Sequence, residues 1–73
     1  MNKLLDLHGM EENEAVAEVL NALISFVNSD EEELEIVTGN GIVLTRVVEE
    51  LVEEEGLLYF HRNNNTGKYI IKK

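Results

Sequence analysis

The strongest constraint in this sequence is a transition made twice: a short β-rich run stops at glycine and gives way at once to apolar residues at helical spacing. Leu4-Leu5-Asp6-Leu7-His8 ends at Gly9, and Leu34-Glu35-Ile36-Val37-Thr38 ends at Gly39-Asn40-Gly41. After the first run, Ala15, Val16, Val19, Leu20, Leu23 and Val27 recur at three- and four-residue steps within residues 12–28, with Glu12, Glu14 and Glu18 off that stripe. After the second, Leu44, Val47, Val48, Leu51 and Val52 do the same as far as Gly56, a residue suited to the left-handed position that closes a helix. Residues 57–62 then read as a third strand, Asn63-Asn64-Asn65-Thr66-Gly67 as a turn, and residues 68–72 as a fourth strand returning in a hairpin.

The expected fold is therefore α/β, an α+β two-layer sandwich of order β-α-β-α-β-β. Its mixed four-stranded sheet carries two helices on one face. Right-handed crossovers make the first three strands parallel, the hairpin makes the fourth antiparallel, and the face without helices is left open to partners. In the first strand, read as residues 3–8, alternation groups Leu5 with Leu7 and Leu4 with Asp6 and His8. Seventy-three residues make one domain, expected to stand alone as 1–73, and a chain this short buries only roughly 60% of its unfolded surface.

Charge is distributed unevenly. All fifteen acids lie in residues 1–55 against only Lys3 and Arg46, while Arg62, Lys68, Lys72 and Lys73 follow without an acid. The net charge of −9 argues against indiscriminate phosphate binding, and the basic tail is either a local patch for a polyanion or a solubilising sheet end. Without cysteine there is neither a disulfide framework nor a thiolate metal site. An acid at position 6 interrupts the N-terminal apolar run too early for a signal peptide, and no stretch reaches membrane-spanning length, so the expected location is cytoplasmic.

Neighbouring parallel strands bring their C-terminal ends together. His8-Gly9 and the Thr38-Gly39-Asn40-Gly41 loop should thus lie side by side at two helix N-termini, with His61, Arg62 and the asparagines delivered to the same edge. Free amides, helix dipoles and glycines make such an edge fit for a phosphate, although two glycines between strand and helix can equally serve backbone geometry alone. On one strand face Asp6 and His8 would stand about 6.5 Å apart, so the carboxylate either orients the imidazole for proton transfer or bonds loop amides instead.

These same residues carry a family resemblance. Leu5-Asp6-Leu7-His8-Gly9 resembles the LDLHG signature that opens Smr (small MutS-related) domains, and Glu14-Ala15 follows at the family's spacing. Thr38-Gly39-Asn40-Gly41 resembles the second signature, HGxG or TGxG, with Leu44 and Val48 in the helical positions after it. The resemblance implies a sandwich like the C-terminal domain of translation initiation factor three, with sheet order 1-2-4-3. It also implies nicking or cleavage of DNA or RNA, with Asp6 and His8 as catalytic candidates and the loop from Thr38 to Gly41 against the phosphate. Gly9, Arg46, His61, Arg62 and Lys68 complete the expected phosphate-binding set. The chain departs from the family pattern at Thr38, where a histidine is common, and at Thr45, where a basic residue is usual and Arg46 follows one place late. Glu11 stands in place of a capping threonine, and the glycine-rich segment before the last strand shrinks to Thr66-Gly67-Lys68.

Three functions follow as expectations: an endonuclease using His8 and Asp6, a binding module for nucleic acid or ribosome without chemistry, and a protein-interaction or weak homodimer module. The last would use Leu4, Val37, Tyr59 and Ile70 on the open sheet face. No bound cofactor is expected; a transient magnesium bridging Asp6 and phosphate is compatible with the sequence.

Overall fold

The computed structural model describes residues 3–39, 41–61 and 65–73. Its elements are β1 (Lys3–Asp6), α1 (Glu12–Val27), β2 (Glu33–Val37), α2 (Ile42–Glu54), β3 (Leu58–Phe60) and β4 (Lys68–Lys72). They form one sheet in the order β1-β2-β4-β3, in which β1 and β2 are parallel and β4 is antiparallel to both β2 and β3. Thus β4 inserts between β2 and β3, and β1, β2 and β3 point the same way. Both crossovers land where connection rules allow, and the order is the one the family resemblance implied.

Strand alternation and helix periodicity meet in a single core. Leu34 and Ile36 of β2 and Tyr69 and Ile71 of β4 pack against Ala15, Val19, Leu23 and Phe26 of α1 and Leu44, Val47, Val48 and Val52 of α2. Leu7, just beyond β1, is also fully buried there. The helical stripe closes on Phe26 rather than Val27: Phe26 has no exposure and Val27 is 48% exposed. Either residue satisfies a step of three or four from Leu23, and the larger ring fills the sheet side of the last turn.

Each helix end has a local cause. Asn28 ends α1, and the Ser29 hydroxyl both donates to the Phe26 carbonyl (2.8 Å) and accepts the Glu31 amide (3.2 Å). After α2, Gly56 adopts φ +73°. Its amide bonds the Glu53 carbonyl (3.0 Å), and the Leu57 amide bonds that of Val52 (3.1 Å). This double bond pattern is a Schellman closure, and only the left-handed glycine makes it inexpensive. No side chain caps α1 at Glu11, as its poor capping chemistry predicts.

On the sheet face away from the helices, Leu4, Glu35, Ile70 and Phe60 form one cross-strand row. Lys68 pairs with Glu35 (3.6 Å) and Lys72 with Glu33 (3.3 Å) across the same face. The phase expected for the third strand is corrected here. Tyr59 lies opposite core residue Ile71 and reaches α2, so Leu58 and Phe60, not Tyr59, join Leu4 and Ile70 on the open face.

Candidate functional site

The site expected at the C-terminal ends of β1 and β2 is built by two turns. The ladder continues one residue past β1 through the Leu7 amide, which donates to the Val37 carbonyl (2.8 Å). The chain then turns over residues 7–10: the Met10 amide bonds the Leu7 carbonyl at 2.9 Å, with Gly9 at φ +84° in the third position. His8 is therefore displayed on a turn, not on a strand that continues to residue 8. Its backbone amide donates to Asp6 Oδ1 at 2.9 Å. The carboxylate is thus engaged by main chain, the second of the two roles open to it. It fixes the turn that presents the exposed imidazole.

The second turn begins at Thr38, the one buried polar side chain among the described residues, at 2% exposure. Its amide and that of Gly39 both donate to the Gly67 carbonyl, at 2.8 and 3.1 Å. The Thr38 hydroxyl is shared between the carbonyls of Gly39 (3.0 Å) and Gly67 (3.3 Å). One carbonyl on the β3–β4 turn therefore holds the whole start of the loop. Sequence reasoning gave these donors to phosphate; the geometry gives them to Gly67. Gly67 itself was missed as a site residue, and its packing is severe: a methyl group there would meet the Gly39 oxygen at 2.9 Å. Asn65 shapes this turn by accepting the Gly67 amide through its side chain (3.0 Å).

Among the described residues, the first turn of α2 remains without partners at this edge. Gly41 is its N-cap, with φ −76° and ψ 125°, and the first intrahelical bond runs from the Thr45 amide to the Gly41 carbonyl (3.1 Å). The opening amides of any helix lack internal partners and point outward with the positive end of the dipole. The His8 ring stands 3.5 Å from where a side chain on Gly39, two residues ahead of that N-cap, would begin. Gly39 also borders an open groove of about 720 Å³ whose lining includes Arg46, His61, Thr66 and Tyr69. The structure thus brings His8 to Gly39 on one side and Arg46 and His61 to it on the other. Lys68 departs from the expected set, since it is ion-paired with Glu35 on the open sheet face. Asn40 and Arg62 lie outside the described residues.

His61 is oriented by its surroundings. Its Nδ1 lies 3.2 Å from the Lys68 carbonyl, which can only accept, so Nδ1 is the donor in that bond. The ring packs 4.4 Å from the Tyr69 centroid, and Tyr69 meets Tyr59 edge-on at 5.5 Å. Tyr69 donates to Glu49, and the single Tyr59 hydroxyl proton is shared between Glu49 (3.3 Å) and Glu53 (3.2 Å). Burial, then the Glu49 carboxylate, pushes both phenol pKa values above the ordinary 10.0. The groove lining accordingly takes in His61, Tyr69, Glu49 and Glu53 of this aromatic–carboxylate cluster, together with Glu50. Among the described residues, no group of three or more histidines or carboxylates is placed to share a metal ion. None of the described helices is long and apolar enough to cross a membrane.

No curated protein and no solved structure matches the chain. A family model does: the Smr domain, over residues 5–68, which takes in both strand–turn–helix junctions and the clamp at Gly67. With the sheet order and the His8-to-Gly39 edge already in place, that match establishes that this chain belongs to the Smr domain family, a family linked to nucleic-acid processing.

Proposed function

We propose that the domain cleaves phosphodiester bonds in RNA or DNA, with His8 as the proton-transfer group. The observation that carries this reading is the exposed His8 imidazole set beside Gly39, two residues ahead of the α2 N-cap, and a helix N-terminus offers a phosphate unpartnered amides and the positive end of a dipole. In this reading the amides of Gly41 and the first turn of α2 take the phosphate, Gly9 lets the main chain approach it, and Arg46 neutralises it from the groove side. In its neutral form His61 offers Nε2 as a second acceptor. Asp6 acts through the backbone, holding His8 on its turn, and Thr38 and Gly39 act through Gly67, holding the loop. Asn40 and Arg62 belong to the same proposal by position in the sequence. The substrate is reached at an edge and not along a broad basic surface, because acids dominate the chain at a net charge of −9. A cysteine-free chain suits the reducing cytoplasm.

One observation favours a second reading, a nucleic-acid or ribosome-binding module without chemistry. The Asp6 carboxylate bonds the His8 amide, so the imidazole gains no carboxylate partner from it. End-labelled single-stranded RNA, duplex RNA and supercoiled DNA incubated with wild type, Asp6→Ala and His8→Ala separate the two. Cleavage by wild type that His8→Ala lowers by about 100-fold or more supports catalysis. Binding that persists in His8→Ala, with no cleavage by any of the three, supports the module.

A further inference from the structure

The open sheet face is laid out in stripes. β1 contributes Leu4 and Asp6, β2 the acids Glu33 and Glu35 with Val37, β4 the lysines Lys68 and Lys72 around Ile70, and β3 the half-exposed Leu58 and Phe60. Apart from Asp6 at the His8 end, this reads apolar, acidic, basic, apolar from edge to edge, with the acids and lysines ion-paired within the copy, and such a pattern is complementary to itself. A two-fold axis lying along the strand direction between β2 and β4 sets the acidic strand of one copy over the basic strand of the other. It also sets Leu4 of one copy over Phe60 of the other, because these residues share one cross-strand row. That row has a knob and a hole. Leu4 is 63% exposed, and a notch of about 270 Å³ lies between Phe60, Ile70, Glu33 and Lys72.

We infer that this face binds a second copy of the chain, sheet against sheet, with Leu4 of each copy seated in the Phe60–Ile70 notch of the other. Aligned sheets pack with strands within about 30° and roughly 10 Å between layers, which fits two-fold related faces of this width. Four strands of three to five residues present a footprint of roughly 300 Å² per copy, well below the roughly 800 Å² per partner of a standard interface. The dimer is therefore weak. Its axis runs along the strands, so both His8 edges point the same way.

The test is sedimentation equilibrium of the full chain from low to high micromolar concentration. Wild type shifts from monomer to dimer mass, and Phe60→Glu, at an exposed position, weakens the dimer by at least about tenfold. A charge exchange gives an independent readout that does not depend on Phe60. Glu33→Lys with Glu35→Lys makes one all-basic copy, and Lys68→Glu with Lys72→Glu makes one all-acidic copy. Each alone stays monomeric, while an equimolar mixture forms a heterodimer, because this axis sets β2 of each on β4 of its partner. Circular dichroism of each variant verifies folding. Wild type that remains monomeric throughout the range overturns the inference. So does a dimer that Phe60→Glu leaves intact, or a mixture of the two folded charge variants that does not associate.

Discussion

Thr38 shows how a residue in a signature can act by shaping the chain around it. Its hydroxyl and amide, with the Gly39 amide, converge on the Gly67 carbonyl, and the loop beside His8 takes its shape from that convergence. Thr38→Val keeps the volume and removes the hydroxyl, so stability should fall by about 1 kcal/mol in urea denaturation, with the cost concentrated at this loop. Gly67→Ala should cost more, about 1–3 kcal/mol, because the added methyl must displace the Gly39 backbone; a urea midpoint equal to wild type would contradict the clamp. The two phenols make a pH prediction. Burial and Glu49 raise their folded pKa values above 10.0, so the fold favours the protonated phenols. That stability is fully present below the unfolded value and is lost as pH rises from there through the folded values. Urea midpoints should thus stay level in this respect up to about pH 10 and decline above it, and Tyr69→Phe should flatten the decline.

At the scale of elements, both helices owe their ends to chemistry that substitution can improve or spoil. Glu11 caps α1 with no side-chain bond while Glu14 already stands three residues on, so Glu11→Thr should complete a capping box and stabilise by about 0.5–1 kcal/mol in thermal melts. Gly56→Ala forces a side chain to φ +73° and should destabilise by about 1–2 kcal/mol. These ends were legible because caps and glycines act over a few residues. The phase of β3 was not, since Leu58, Tyr59 and Phe60 are all apolar and give alternation no contrast. Tyr59 reveals its face only through Glu49 and Glu53, which the sheet order brings near. The length of β1 was over-read for a similar reason. His8 continues the alternation, but the Leu7-to-Met10 turn and the Asp6 carboxylate take the chain out of the strand first.

For the molecule as a whole, one small core carries both layers, and Phe26 is among its largest fully buried side chains. Phe26→Ala should cost about 3–5 kcal/mol, comparable with the entire stability of a domain this small, and circular dichroism should show a largely unfolded chain near physiological temperature. The edge that gathers His8, Gly39, Gly41 and Arg46 was readable from topology, because parallel strands and right-handed crossovers place their C-terminal ends together. The device that holds it was not, because Gly67 meets Thr38 across 29 residues of sequence and nothing local marks the pairing. Whether nucleic acid meets this edge, as the proposed function requires, is read by a nuclear magnetic resonance titration of the uniformly labelled chain with a short single-stranded RNA. Saturable amide shifts at His8, Gly9, Gly39, Gly41 and Ile42 are expected of the proposed function. Shifts confined to α1 or to the Lys72 face, or no saturable shift anywhere, would contradict it.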